Sequence, residues 1–305
     1  MSIENLYEEQ QREEAGTCSA ISAMIYPKQH DLGGFFVRRA LPTGKHRKVG
    51  PWVFFDHIGP AHFNPGTGVD VRPHPHINLA TVTYLFEGEM LHRDSLGNER
   101  VIKPGEINLM VAGKGIVHSE RQREEIKKSN NNKLSGLQLW LALPEQDEEI
   151  SPEFHHYDKN EIPSLIINQV PVRVLIGEAY GVKSPVKTFA KTIYVEAHLK
   201  AGQKLMLPDG ADERALYVVS GKLKAKESVL ETFCMAILDC EKNIVVEAVE
   251  DTQLALVGGE KLSHRYIWWN FVSSRKERIE QGKLDWKNKK FPKVPGDEKD
   301  FIPLP

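Results

Sequence analysis

Two short segments carry the residues whose types and spacing could do chemistry. In Arg72-Pro73-His74-Pro75-His76 the histidines stand two apart, so an extended backbone points both to the same face. About forty residues on, Gly113-Lys114-Gly115-Ile116-Val117-His118-Ser119-Glu120 repeats the relation with His118 and Glu120. If the two segments pair across a β-barrel, three imidazoles and one carboxylate converge. That set suits one divalent first-row metal: iron, manganese, nickel, cobalt, copper or zinc. On an octahedral ion it would leave two positions for water, dioxygen or a substrate oxygen. The bland alternative makes these surface or capping histidines, with Pro73 and Pro75 stiffening a turn. A His-x-His alone has little specificity. A His-x-Glu between glycine turns in the same β-rich region strengthens the metal reading.

The elements that must position these residues are short strands. From residue 33 to 144, apolar runs such as Trp52-Val53-Phe54-Phe55, Ala80 to Phe86, Ile107 to Val111 and Gly136 to Leu141 are separated by turn clusters such as Lys103-Pro104-Gly105. That texture predicts a β-sandwich or barrel. A similar series fills residues 166–265. Tyr84-Leu85-Phe86-Glu87-Gly88 is echoed by Tyr217-Val218-Val219-Ser220-Gly221, which suggests duplication. The same offset places Leu207 and Asp209 where the first half has its histidines, so no second metal is expected. Residues 1–32 read as a polar arm and 145–165 as a linker. Residues 266–305 read as a terminal helix and a surface tail, with Ser273 or Ser274 as cap and Glu277 completing a capping box.

The chain has 305 residues, enough for about two domains, with 40% hydrophobic and 27% charged residues. Its formal charge of -2 lacks the basic excess of a protein held on nucleic-acid phosphates. No run reaches the roughly 18 apolar residues that span a bilayer, and the start is acidic where a signal peptide is basic. Cys18, Cys234 and Cys240 lack a CxxC spacing and read as reduced thiols of a cytoplasmic protein. Among other residues, His57 and His92 are weighed as support for the ligands. His155-His156 and the stretch 121–133 read as solvated, and Trp52, Phe54 and Trp140 as core.

The run Val53-Phe54-Phe55-Asp56-His57-Ile58-Gly59-Pro60, the His74-Pro75-His76 segment with Thr81-Val82-Thr83-Tyr84, and Ala112 to Glu120 closely resemble the pirin family. Leu137-Gln138-Leu139-Trp140 and the terminal helix look similar too. The resemblance implies an all-β bicupin of two similar antiparallel barrels with a short C-terminal helix and metal in the first barrel only. It places the ligands on His74, His76, His118 and Glu120, the four that spacing selects. It also implies one metal per chain, Fe(II) first, with Mn, Ni, Co, Cu or Zn as alternatives. Ile77-Asn78-Leu79 and Lys114 depart from the common pattern, and Ile77 and Asn78 are expected near the pocket mouth.

For function, the resemblance implies a dioxygenase that opens a flavonol such as quercetin, or a related enol, with O2, Glu120 serving as ligand and general base. The other reading is a redox-sensing iron protein that modulates a protein partner such as a transcription factor or metabolic enzyme. A metal held only for stability is the third. The chain is expected to be monomeric.

Overall fold

The computed structural model describes residues 12–14, 20–32, 34–239 and 242–305. Two β-barrels account for most of them, and each is built from one large and one small antiparallel sheet. In the first barrel the large sheet runs, in spatial order, Glu153–Tyr157, Ile107–Val111, Leu79–Glu87, Asn132–Ala142, Trp52–Phe63, Phe36–Leu41 and Lys28–Asp31. Its small sheet runs Asp70–His76, Ile116–Arg121, Met90–Asp94 and Glu99–Ile102. In the second barrel the large sheet runs Arg12–Glu14, Ile21–Tyr26, Met235–Leu238, Glu213–Ser220, Thr252–Gly259, Thr192–Leu199, Val170–Ile176 and Ser164–Ile167. The small one runs Lys204–Met206, Val245–Ala248, Leu223–Ala225 and Ser228–Leu230. Apart from Arg12–Glu14, every strand of one barrel has a counterpart in the same spatial place in the other. The duplication suggested by the Tyr84 and Tyr217 segments thus extends through both sheets.

The large sheets pack against each other. Trp52, Phe55, Val82 and Tyr84 of the first barrel share one buried cluster with Tyr194, Tyr217 and Val257 of the second. Each of these strands is buried on both faces, which is why they read as near-continuous apolar runs rather than as alternating ones. A second cluster, including Leu205, Leu216, Val218 and Val246, fills the interior of the second barrel. Between the barrels, the Tyr84 hydroxyl donates to Glu196 and accepts from Arg173 Nη1 at 2.7 Å. Gln253 Nε2 also donates to Glu196, at 2.6 Å.

Three expectations about the connecting segments need correction. The supposed arm contains strand Ile21–Tyr26, which pairs with Met235–Leu238 and joins the second barrel. The supposed linker contains strand Glu153–Tyr157, which pairs with Ile107–Val111 and completes the first. The two strands leading into the barrels are therefore exchanged. Glu153–Tyr157 was hidden by its polar, half-buried residues, because an edge strand with one face toward solvent has a weak apolar signal. His155 and His156 consequently lie on that strand rather than free in solvent, and His156 Nδ1 is 2.7 Å from Asn108 Oδ1.

The terminal helix forms over Lys276–Lys287, but no side chain caps it. The hydroxyls of Ser273 and Ser274 donate instead to the buried Glu148 carboxylate, each at 3.0 Å. A buried carboxylate needs donors more than an exposed helix end does. Ile279 and Trp286 pack with Ile77 and Phe271, as their spacing of seven suggests. Stretch 121–133 folds into a one-turn helix, Glu124–Lys127, and then turns inward at buried Asn132, which bonds Gln122. Of the cysteines, Cys234 is buried and free, while Cys18 and Cys240 lie outside the described residues. No helix among those residues is long and apolar enough to cross a membrane.

Candidate metal centre

Strands Asp70–His76 and Ile116–Arg121 pair antiparallel, with His74 opposite His118 and His76 opposite Ile116. Strand alternation then turns all three imidazoles to one side. Beyond His118 the register shifts, so that Glu120 faces Val71 rather than Arg72. The extra residue falls at Arg72-Pro73, and a proline, having no N–H to give the ladder, is at home in such a bulge. The turn before Ile116 depends on Gly113, whose φ is 47°. A Cβ there would lie 2.1 Å from the Ile150 carbonyl oxygen.

One ring nitrogen from each of His74, His76 and His118 lies within 4.8 Å of the other two, and all three residues are buried. Glu120 is not part of that tight group. It lines the same cavity beside His74 and His76, where Gln138 Nε2 donates to its Oε1 at 3.0 Å. Thr83 Oγ1 donates to Gln138 Oε1 at 2.7 Å and so keeps the amide N–H2 turned toward Glu120.

The hydrogen bonds on the far sides of the rings fix what each ring presents inward. His74 Nδ1 donates to the Arg72 carbonyl at 2.9 Å, and His76 Nδ1 to the Asn270 carbonyl at 3.1 Å. His92 Nε2 donates to Asp94 at 3.1 Å, which leaves the His92 Nδ1 lone pair to accept from His118 Nδ1 at 3.4 Å. Each of the three rings therefore turns an unprotonated Nε2 inward. His76 Nε2 and His118 Nε2 stand 3.1 Å apart, two lone pairs with no proton between them. Two nitrogens bound about 2.1 Å from one cation and at right angles stand about 3.0 Å apart.

Electrostatics points the same way. Burial, the largest influence, lowers the His74 pKa to about 4 and takes His76 and His118 well below the usual imidazole value. Neutral imidazoles are the form a metal binds. Burial pushes the Glu120 carboxyl up to about 7, against the opposing hydrogen bond from Gln138. Among the described residues no lysine or arginine pairs with Glu120. A buried carboxylate beside three inward lone pairs lacks a positive partner, and a divalent cation would supply it. The residues present fit a metal.

His74 and His76 open onto a cavity of about 430 Å³, which Glu120 also lines. Phe54 and Trp140 stack at 3.9 Å along its wall, and Trp140 also meets His76 edge-on at 5.0 Å. Arg39 pairs bidentately with buried Asp56, at 2.9 and 2.8 Å, and its guanidinium lies 4.4 Å from the Phe54 ring centre. These residues were expected only as core or not at all. An aromatic strand signal is the same whether the side chain faces packing or a cavity.

Of the two histidines weighed as support, His92 bonds His118 and stacks on Phe154. His57 does not reach the cluster, because it lies between the barrels, 3.0 Å from the Tyr217 hydroxyl. Ile77 and Asn78 do not line the cavity either. Ile77 packs on Phe271 and Ile279, and Asn78 bonds the carbonyls of Gly113 and Glu148. Lys114 is exposed on the turn before Ile116. The orienting Asn270 carbonyl comes from beyond the second barrel, and no local sequence signal announced it.

Comparison with known proteins gives the same assignment over most of the chain. The family model described as Pirin matches residues 34–141, and the Pirin C-terminal cupin domain matches residues 194–292. A pirin-like protein of Caulobacter vibrioides is 45% identical over 93% of this chain and 99% of its own. Human pirin is 29% identical, over 90% of this chain and 94% of its own. The crystal structure of a quercetin 2,3-dioxygenase from Acinetobacter baumannii matches with a TM-score of 0.85 at 31% identity, covering 92% of this chain and 94% of that one. Two barrels of one strand order, a histidine cluster in the first alone among the described residues, and these matches along both halves lead to one statement: the chain belongs to the pirin family.

Proposed function

We propose that the protein is an iron-dependent dioxygenase that opens a flavonol such as quercetin, or a related enol, with O2. His74, His76, His118 and Glu120 would hold the metal. The observation that carries this reading is the convergence of three neutral imidazoles, two of which line a largely apolar cavity of about 430 Å³ together with Glu120. The likeness to a quercetin 2,3-dioxygenase structure supports the substrate class.

A divalent metal in that set supplies a Lewis acid that lowers the pKa of a coordinated hydroxyl and, as iron, access to dioxygen chemistry. The chain's own residues do the rest. Carbonyls of Arg72 and Asn270 lock two rings, and His92 with Asp94 locks the third, so the ligands are aimed before anything binds. Phe54 and Trp140, stacked on each other, give the cavity an aromatic wall against which a planar ring system can pack. Glu120 is the one carboxylate of the set and so the group able to accept the hydroxyl proton, with Gln138 holding its other oxygen in place.

The test is oxygen uptake by Fe(II)-loaded protein given quercetin, with His118→Ala as control. Uptake that follows quercetin loss and disappears in the control is the expected result. No uptake from fully loaded protein overturns the reading and leaves the redox-sensing alternative.

A further inference from the structure

The tail beyond the terminal helix lies largely at the surface, as expected, yet it also reaches the metal cavity. Ile302 and Pro305 are part of its lining. Ile302 is held through both of its backbone polar groups. Its N–H donates to the Pro73 carbonyl at 2.8 Å, next to His74, and its carbonyl accepts from Trp286 Nε1 at 3.0 Å. The side chain is thus fixed between the ligand strand and the terminal helix. Phe301 adds an edge-on contact with Trp286 at 5.6 Å.

A second set of bonds fixes the segment before it. Arg121 follows Glu120 directly, so alternation sends it to the outer face of the same strand. There Nε and Nη2 clasp Asp297 at 2.6 and 2.8 Å, and Nη2 also reaches Asp300 at 3.0 Å. A bidentate guanidinium–carboxylate pair fixes direction as well as distance. The strand that carries Glu120 on its inner face therefore holds the cavity's outer wall with the next residue.

We propose that Ile302 is a specificity-determining residue of this site: residues 297–305 form a wall that limits how long a flat aromatic ligand can be, and Arg121 is the positioning residue that holds the wall in place. This rests on the reading of the cavity as a substrate site. An apolar branched side chain pinned at both backbone groups cannot swing away, so it excludes by shape. The longer the ligand, the more of this bounded space it must fill, so added bulk at Ile302 weighs most on the longest.

The experiment is anaerobic titration calorimetry of the full-length, metal-loaded chain. The probes are catechol, 3-hydroxychromone and quercetin, which share a chelating oxygen pair and increase in length. Ile302→Trp is expected to weaken quercetin binding at least tenfold, to weaken 3-hydroxychromone less, and to leave catechol within twofold. Adding Asp297→Asn and Asp300→Asn to Ile302→Trp should restore quercetin binding, because the released wall can give way. An equal loss for all three probes, no loss for any, or a further loss on releasing the clasp would overturn the proposal. Graded binding without oxygen uptake by the wild-type protein would sink the dioxygenase reading and leave Ile302's role standing. Uptake on quercetin with no grading across the variants would do the reverse. Failure of all three probes to bind the wild-type protein would remove both.

Discussion

The first barrel places His74 opposite His118 across its small sheet; at the matching pair of strands the second places Leu205 opposite Val246. Strand order is shared, and both leucine and valine are fully buried. The difference lies in what each interior asks of its surroundings. Leucine and valine are satisfied by contact alone, and the second barrel is filled. Three inward imidazoles cannot satisfy one another, and the first barrel keeps both a cavity and a need for a cation. The architecture supplies the place, and side-chain chemistry decides whether the place is a core or a site.

The largest way to break this comparison is to exchange the fillings. Leu205→His should destabilise the second barrel by roughly 3 kcal/mol, through lost packing and a buried ring without partners. In metal-free buffer His76→Leu should do the opposite and stabilise by about 1 kcal/mol, since it removes one of two facing lone pairs. Urea unfolding of both variants in the presence of a chelator reads the two signs. If both lose stability alike, the contrast between the interiors is wrong.

A smaller effect sharpens the account of the first barrel. His92→Ala removes the acceptor that sets the His118 tautomer without touching an inward-facing nitrogen. Metal affinity, measured by competition with a chromogenic chelator, should fall about 10- to 100-fold. Unchanged affinity would mean that His118 is oriented by packing alone.

The smallest effect concerns the join between the barrels. Although burial pushes the Glu196 carboxyl up, hydrogen bonds from His198, Tyr84 and Gln253 outweigh it and hold the pKa below its ordinary value of 4.5. A depressed carboxyl stabilises the fold fully above its unfolded pKa, and the contribution is lost as pH falls through the lower folded value. Glu196→Gln should therefore remove on the order of 1 kcal/mol at neutral pH and flatten the decline below about pH 4.5. Thermal melts from pH 7 to pH 3 would show it; parallel curves for wild type and variant would count against the clamp.

How much of this was legible depended on how local each cause was. The three histidines and Glu120 stand at i, i+2 spacing, and the strand period alone turns each pair to one side. The repeated Tyr-to-Gly segments exposed the duplication. Phe54 and Trp140 are buried in a hydrophobic cluster as expected, but their share in the cavity wall was not legible, because burial against a neighbour and burial beside a cavity require the same apolar residue. His57 and His92 could not be separated, since each lies within a strand, and only the three-dimensional pairing sends His92 to His118 and His57 to Tyr217. Asn270 and Ile302 were beyond reach, as they act on the His74–His76 strand from roughly 200 residues away in sequence. The serine caps failed for a related reason, because the competing partner, Glu148, lies more than 120 residues earlier.

The exchanged leading strands have a consequence for how such a chain could arise. Ile21–Tyr26 leads into the first barrel yet completes the second, and Glu153–Tyr157 leads into the second yet completes the first. Reciprocal exchange of one identical element is the signature of a domain-swapped dimer. Joining the two subunits of such a dimer end to end, tail of one to leading strand of the other, yields this connectivity without moving a strand. The fused copies were then free to diverge, one interior toward leucine and valine, the other toward histidine.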